Sequence, residues 1–482
     1  MYGSDGLVSS FAVSGGGVEE DSLRAVAVDG AGAVVSAGNF MASTATFGGV
    51  ALTSAGGDDA VVWKMSAEGT TLWAVSGGGT IDESLSAVAV DGAGAVVAAG
   101  RFQSNYGDAA ATSTFGGVEF PVPVGSDISV LWKLSALGTT LWAVSAGGES
   151  YSVRLSGVAV DGENAVVGAG YFSGSLAMFG DVALTATGGP AIVWKVSAEG
   201  TTLWAVRGGG TSIDSLKGVA VDGAGGVVAA GYVSSFSATF GAVVLTGAGD
   251  LDAVVWKASG EGTTLWAVRG GSRNEDAING VAVDRAGDVL AVGHFGYLPE
   301  QWTEAPSATF GTEVLTTGAG GRGGDALLWK LSAEGTTLWA MGGGGANNDK
   351  LIGVTVDGAG AVVTVGKFNA GEVWLWGDAG LWKVSAEGTM LSAVYFGGLD
   401  EYGFGTGAYE LNGVAVDGVN AVVAVGGFSS NPATFNGEVL FTAGDSDAVV
   451  WKVSDVAGFT CTVPIKQYFA VRRHHFTISC NS

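Results

Sequence analysis

Ser86-Ala87-Val88-Ala89-Val90-Asp91-Gly92-Ala93-Gly94-Ala95-Val96-Val97-Ala98-Ala99-Gly100 is the stretch on which the reading of this chain turns. Two short runs rich in β-branched residues flank a turn, which is the pattern of a β-hairpin. A three-residue loop whose last residue lies in the left-handed region needs Gly or Asn there, because a bulky Cβ would clash. The aspartate before it can accept turn N–H groups, so its presence has a local structural cause.

The same segment recurs along the chain. Its aspartate returns at Asp29, Asp91, Asp161, Asp222, Asp284, Asp357 and Asp417, at spacings of 62, 70, 61, 62, 73 and 60 residues. The left-handed position is filled by Gly32, Gly94, Asn164, Gly225, Gly287, Gly360 and Asn420. A second marker, Trp-Lys, keeps step at Trp63, Trp132, Trp194, Trp256, Trp329, Trp382 and Trp451. Internal repetition of this period points to stacked supersecondary units.

Each unit holds a second hairpin. Val61-Val62-Trp63-Lys64-Met65-Ser66 reads as a strand, Ala67-Glu68-Gly69 as a loop and Thr70-Thr71-Leu72-Trp73-Ala74-Val75 as the returning strand. With that loop, Ser66 is expected to face Thr70 and Trp63 to face Trp73. The offset recurs at Trp132/Trp142, Trp194/Trp204, Trp256/Trp266 and Trp329/Trp339, while Ser392 breaks it in the sixth unit.

Four nearly continuous apolar strands, A to D, must be covered on both faces, so the units have to stack. The expected fold is all-β: a seven-bladed β-propeller of four-stranded antiparallel blades. A linear solenoid is the alternative, but it would need polar capping units. The segment Ser9-Ser10-Phe11-Ala12-Val13-Ser14-Gly15-Gly16-Gly17 matches the D strand at Thr71–Gly79, with Phe11 in place of Trp73. A D strand therefore precedes the first A strand. The seventh Trp-Lys strand is followed only by a degraded turn at Ser454–Gly458. The N-terminal strand is thus expected to complete blade seven and close the ring. The propeller is assigned to residues 1–458, and residues 459–482 form an atypical tail.

Composition excludes several classes. The 482 residues include 85 Gly and 7 Pro, with 47% hydrophobic and 14% charged residues, which fits neither collagen nor a disordered chain. No apolar run reaches the length of a membrane-spanning helix, and no signal-peptide pattern is visible at the N-terminus. A net charge of −25 argues against nucleic acid as a partner. Cys461 and Cys480, the only cysteines, make neither a disulfide scaffold nor a four-ligand zinc site. A monomer is expected.

These residues resemble the β-propeller repeat family called SBBP, over about residues 8–458. Asp-Ala-Val-Val-Trp-Lys-Val-Ser, a turn, Leu-Trp-Ala-Val, Gly-Gly and then Gly-Val-Ala-Val-Asp-Gly is similar to its strand and hairpin pairing. The Ala-Thr-Phe-Gly segments at Phe47, Phe240, Phe310 and Phe435, with near matches at Phe115 and Phe179, fit a frequent variant. The resemblance implies a secreted or cell-surface protein without an assigned reaction.

Antiparallel order places the A–B and C–D turns on one face of the ring and the B–C and D–A loops on the other. Variation collects on the second face, as expected of loops that carry function on a rigid scaffold. Blade two has an insertion at Gln103–Ser129 and blade five another at Phe295–Gly324, and the D–A loop at Gly397–Glu410 is long and aromatic. The D–A loops are acidic, at Glu19, Glu20, Asp21, Asp82, Glu83, Glu149, Asp214, Glu275, Asp276, Asp349, Asp400, Glu401 and Glu410. This face is expected either to be a solvated acidic rim or to bind a cation or a basic or carbohydrate partner. In the second case Trp302, Trp374, Trp376 and Tyr402 would be platforms beside Asp400 and Glu401. No motif calls for a cofactor, although carboxylate oxygens would suit calcium.

A lysine repeated in every blade is unsuited to catalysis, which needs one distinct constellation. Lys64, Lys133, Lys195, Lys257, Lys330, Lys383 and Lys452 are therefore read, with Trp63 and Trp73, as structural partners of blade carboxylates or carbonyls. No zinc-protease, nucleophile-elbow or phosphate-loop motif is present. The function expected is a non-catalytic recognition or scaffold module presenting the loop-rich face to a protein or glycan. The alternative is a propeller enzyme acting on a saccharide or peptide at the central funnel.

Overall fold

The structure, a computed structural model, describes residues 7–104, 111–147, 152–297, 307–317, 323–345, 347–368, 378–396, 409–429, 433–435, 438–443 and 445–455. The tail at 459–482 lies outside them.

The repeated hairpin forms as its turn chemistry requires. All seven left-handed positions have positive φ, from 63° at Asn164 to 87° at Gly360. In blade two, Asp91 Oδ1 accepts the N–H groups of Ala93 (3.0 Å) and Ala95 (2.8 Å). The other six aspartates do the same in their own turns.

Around these turns the strands assemble in the order A-B-C-D, all antiparallel. Blade one consists of Asp21–Val28, Val34–Phe40, Asp59–Met65 and Thr71–Gly77. Each A strand packs against the A strands of both neighbouring blades, and the last, Tyr409–Val416, packs against the first, Asp21–Val28. The A strands are therefore the inner wall of a closed ring of seven blades.

Closure is made by the N-terminal strand. Leu7–Gly16 pairs antiparallel with Asp447–Asp455, from Leu7 opposite Asp455 to Gly15 opposite Ala448. Phe11 stands opposite Lys452, and its ring covers Gly69 in the C–D turn of blade one. That is the position Trp73 takes over Gly138 in the next blade.

One expected register is corrected. Ser66 does face Thr70, through a 2.8 Å N–H···O bond, but Trp63 pairs with Ala74 and Lys64 with Trp73. An extra residue, Leu72, is inserted between Thr71 and Trp73, making a bulge that shifts the strand by one. The same shift occurs at Trp132, Trp194, Trp256 and Trp329. The two tryptophans of a blade thus lie on opposite faces, and the opposed aromatic pair does not form.

Trp63 finds a different partner. The B–C connection folds into a hairpin, Thr44–Phe47 and Val50–Thr53, that pairs with the D strand of the preceding blade, Gly15 to Phe47 and Gly16 to Thr46. Phe47 meets Trp63 edge-on at 5.5 Å, and Trp63 Nε1 donates to Thr71 Oγ1 at 3.0 Å. Such a ring pair is worth about 0.5–1.5 kcal/mol beyond its burial. The tight turn needs Gly48, which has φ of 55° and leaves no room for a Cβ against Thr71 Oγ1. Equivalent Phe–Trp contacts recur at Phe115/Trp132, Phe179/Trp194, Phe240/Trp256 and Phe310/Trp329.

Candidate binding face

The tight-turn face is occupied by a repeated ion pair. Lys64 Nζ lies 2.9 Å from Asp29 Oδ2, and the other six pairs join Lys133 to Asp91, Lys195 to Asp161, Lys257 to Asp222, Lys330 to Asp284, Lys383 to Asp357 and Lys452 to Asp417 at 2.8–3.1 Å. Each aspartate therefore holds its turn through one oxygen and the C-strand lysine through the other. Several of these lysines also reach the next blade: Lys195 donates to Gly260 O at 3.2 Å and Lys257 to Ala333 O at 3.2 Å. Trp204 and Trp266 donate to the same two carbonyls. At the ring closure Lys452 donates to Ala67 O at 2.9 Å, where Phe11 has no N–H to offer. Burial alone would raise the Asp29 carboxyl, but the Lys64 ammonium and the N–H groups of Ala33 and Ala31 hold it below the usual range. Asp91, Asp161, Asp222 and Asp417 are lowered in the same way by Lys133, Lys195, Lys257 and Lys452.

The opposite face differs from the acidic rim that composition suggests. Trp302, Trp374, Trp376, Tyr402, Asp400, Glu401 and Glu149 lie outside the described residues. Of the others, Glu19, Glu20, Asp82 and Glu410 are exposed and Glu275 is half-buried, but Asp21, Glu83, Asp214, Asp276 and Asp349 are buried. The buried group turns inward because these five D–A loops have N–H groups that need an acceptor. Asp21 accepts from Gly17 (2.6 Å), Glu83 from Gly79 (3.0 Å), Asp214 from Gly210 (2.6 Å), Asp276 from Ser272 (2.6 Å) and Asp349 from Gly345 (2.5 Å).

Three of these carboxyls meet a second one from strand C of the preceding blade, Asp349 and Asp325 doing so at Gly344. Glu83 and Asp59 converge on Gly78, and Asp276 and Asp252 on Gly271. Burial pushes Glu83 up to about 8, assisted by repulsion from Asp59 and Asp82 and opposed by the Ser113 hydroxyl and Gly79 N–H. Burial likewise raises Asp276 to about 6, with Asp252 adding repulsion, and Asp21 to about 6. Among the described residues, no group of three or more His, Cys, Asp and Glu is arranged to hold a metal ion.

Because these folded-state values are raised, the stability they contribute is full below the ordinary carboxylate range and is lost as pH rises through about 6 and then about 8. His294 opposes this: burial first, then the Lys350 charge, lowers it to about 4, so it costs stability as pH falls below its ordinary 6.5. The lysine-bound aspartates lose their contribution only below about pH 4. Burial also raises Asp58, Asp59 and Glu275, so the raised carboxyls outnumber the single histidine. The thermal midpoint should therefore rise from about pH 8.5 to about pH 5 and fall below about pH 4. Glu83→Gln should flatten the upper limb of that profile, and a wild-type midpoint that falls steadily from pH 8.5 downward would contradict this account.

The inner strands carry a feature that motif reading passed over. Arg24 and Lys217 sit at the bulged position of A strands, Arg154 lies two residues from the start of another, and Arg101 lies two residues from the end of a B strand. All four are at the D–A and B–C end of the two inner strands, in blades one to four. The same positions hold Tyr171, Tyr232 and His294. The signal available was that these positions vary within an otherwise constant repeat. The outer slope of this face has a shallow cleft lined by Glu19 and neutral residues, among them Met41 and Ser54.

The architecture defines a closed seven-bladed β-propeller with one stapled face and one variable face. No protein-family model matches the chain, and no curated protein matches it. Among solved structures it is similar to Sqt1 from Chaetomium thermophilum (TM-score 0.43, 11% identity, 92% of this chain and 99% of that one). It is also similar to the Pan2 WD40 domain of Neurospora crassa (0.45, 9%, 95% and 99%). A third is the β-propeller domain of the Trilobed protease from Pyrococcus furiosus (0.41, 7%, 93% and 97%). No helix among the described residues is long and apolar enough to cross a membrane.

Proposed function

We propose that this protein is a non-catalytic recognition or scaffold module that presents its D–A and B–C face to a protein or glycan partner. The observation that carries this reading is the division of labour between the faces. Seven Lys–Asp pairs commit the tight-turn face to holding the ring, while the insertions at 103–129 and 295–324 fall on the other. A rigid frame with variable loops on one side is suited to binding. The SBBP-like repeat supports a secreted or cell-surface setting, and the single closed ring supports a monomer. Trp302, Trp374, Trp376 and Tyr402 are its proposed platforms, with Asp400 and Glu401 beside them and calcium as the cation to test.

Glycan-array screening combined with calcium titration of the purified protein tests the proposal. A saturable ligand should emerge, and Trp374→Ala with Trp376→Ala should weaken it. Turnover of a saccharide or peptide substrate, abolished by a carboxylate substitution, would favour an enzyme instead.

A further inference from the structure

In a chain of net charge −25, four basic side chains stand side by side at the inner edge of one face. Arg24, Arg101, Arg154 and Lys217 come from four consecutive blades, and their proximity is felt electrostatically. Burial, then the charge of Arg154, holds the Arg101 guanidinium below its ordinary value; Arg24 acts in the same direction and Asp127 against it. Burial and Arg154 together lower Lys217.

Two of the four are anchored. Arg154 donates through Nε to Asp127 Oδ2 at 2.6 Å, with Nη2 at 2.5 Å from the same oxygen. Arg24 Nε donates to Asn39 Oδ1 at 3.2 Å. Arg101 and Lys217 have no carboxylate within ion-pair distance among the described residues. Lys217 Nζ instead lies 5.5 Å from the centre of the Tyr232 ring, and Tyr171 stands opposite Arg154. Arg24 is exposed, but Arg101, Arg154 and Lys217 are half-buried, and like charges gathered there raise the free energy of the fold unless something offsets them. The Lys–Asp pairs show that this repeat readily places a carboxylate beside a buried cation, yet these two are left open.

We propose that Arg24, Arg101, Arg154 and Lys217, with Tyr171 and Tyr232 beside them, form a binding site at the inner end of the D–A and B–C face for a saccharide bearing carboxylate groups. Guanidinium forks match a planar carboxylate through two parallel hydrogen bonds. Tyrosine rings offer an apolar face and a hydroxyl to a sugar. The negative charge of the rest of the protein disfavours a dense polyphosphate, and carboxylates spaced one sugar apart meet less of that repulsion. Screening over about 8 Å at physiological salt leaves the local cations in control at contact. This site rests on the recognition reading and gives it a ligand class.

The test is calorimetric titration of the full chain with oligogalacturonate, its methyl ester and inorganic phosphate, at low and high salt. Oligogalacturonate should bind saturably and weaken as salt rises, and the methyl ester should not bind. Arg101→Gln with Lys217→Gln should weaken binding by about tenfold or more, a loss of about 1.4 kcal/mol. Those two substitutions should also leave the ligand-free thermal midpoint unchanged or raised, since they relieve repulsion. Equal binding of the ester or of phosphate, binding unaffected by the double substitution, a lowered ligand-free midpoint, or no binding would each overturn the site. If a neutral glycan or a protein still bound, the recognition reading would survive that failure.

Discussion

Deleting residues 1–16 is expected to abolish the single cooperative thermal transition of the ring and to leave an aggregation-prone chain. The removed strand pairs with Asp447–Asp455 from Leu7 to Gly15, with one bulge between Ser9 and Phe11. Its loss uncovers an apolar edge that includes Val449, Val450 and Trp451, all fully buried in the closed ring. An unpaired apolar edge is a template for association with other chains. The blade-one hairpin would lose its anchor as well, because Phe47 and Thr46 pair with Gly15 and Gly16. A milder version is Phe11→Ala, which takes the ring off Gly69 and should cost about 3–5 kcal/mol. Scanning calorimetry with light scattering reads both variants. A truncated chain that melted at the wild-type temperature would show that the ring does not depend on this closure.

The second large effect is expected from the lysine staples. In Lys133→Met the Asp91 carboxylate keeps its two turn N–H donors but loses its ammonium partner, which lay 3.0 Å away with both side chains 4% exposed. An uncompensated buried charge of this kind typically costs about 3–5 kcal/mol. Asp91→Asn in the same chain removes that charge, so the double variant should recover part of the loss. A coupling of about 0.5–3 kcal/mol between the two sites is then expected from urea midpoints. Single substitutions with no measurable effect would mean that the staples are dispensable.

Much of this was legible in the residues themselves. Gly94 and Asn164 mark the left-handed turn position, Asp91 and Asp161 its acceptor, and the match of Phe11 to Trp73 places a D strand ahead of the first A strand. These are statements about chain neighbours, or about one unit copied seven times. The Trp63–Trp73 pairing failed because one inserted residue, Leu72, changes register without changing composition. The Phe47 hairpin was visible as a recurring Ala-Thr-Phe-Gly segment, but its role as a wedge against Trp63 depends on where the preceding blade lies. Of the proposed platforms, Trp302, Trp374, Trp376 and Tyr402 stay outside the described residues and remain part of the proposal.

By itself the sequence determined the hairpins, the count of units and the closing strand, because turn conformation and strand pairing within a unit are governed by residues a few positions apart. Only the tertiary structure decided that the D–A carboxylates Asp21, Glu83 and Asp276 turn inward, and that Arg24, Arg101, Arg154 and Lys217 share one arc. Those four are 53 to 77 residues apart from one to the next, and no local rule relates them. Their meeting follows from the angle at which successive blades pack around the axis, which sets burial and charge proximity between residues that the chain keeps far apart.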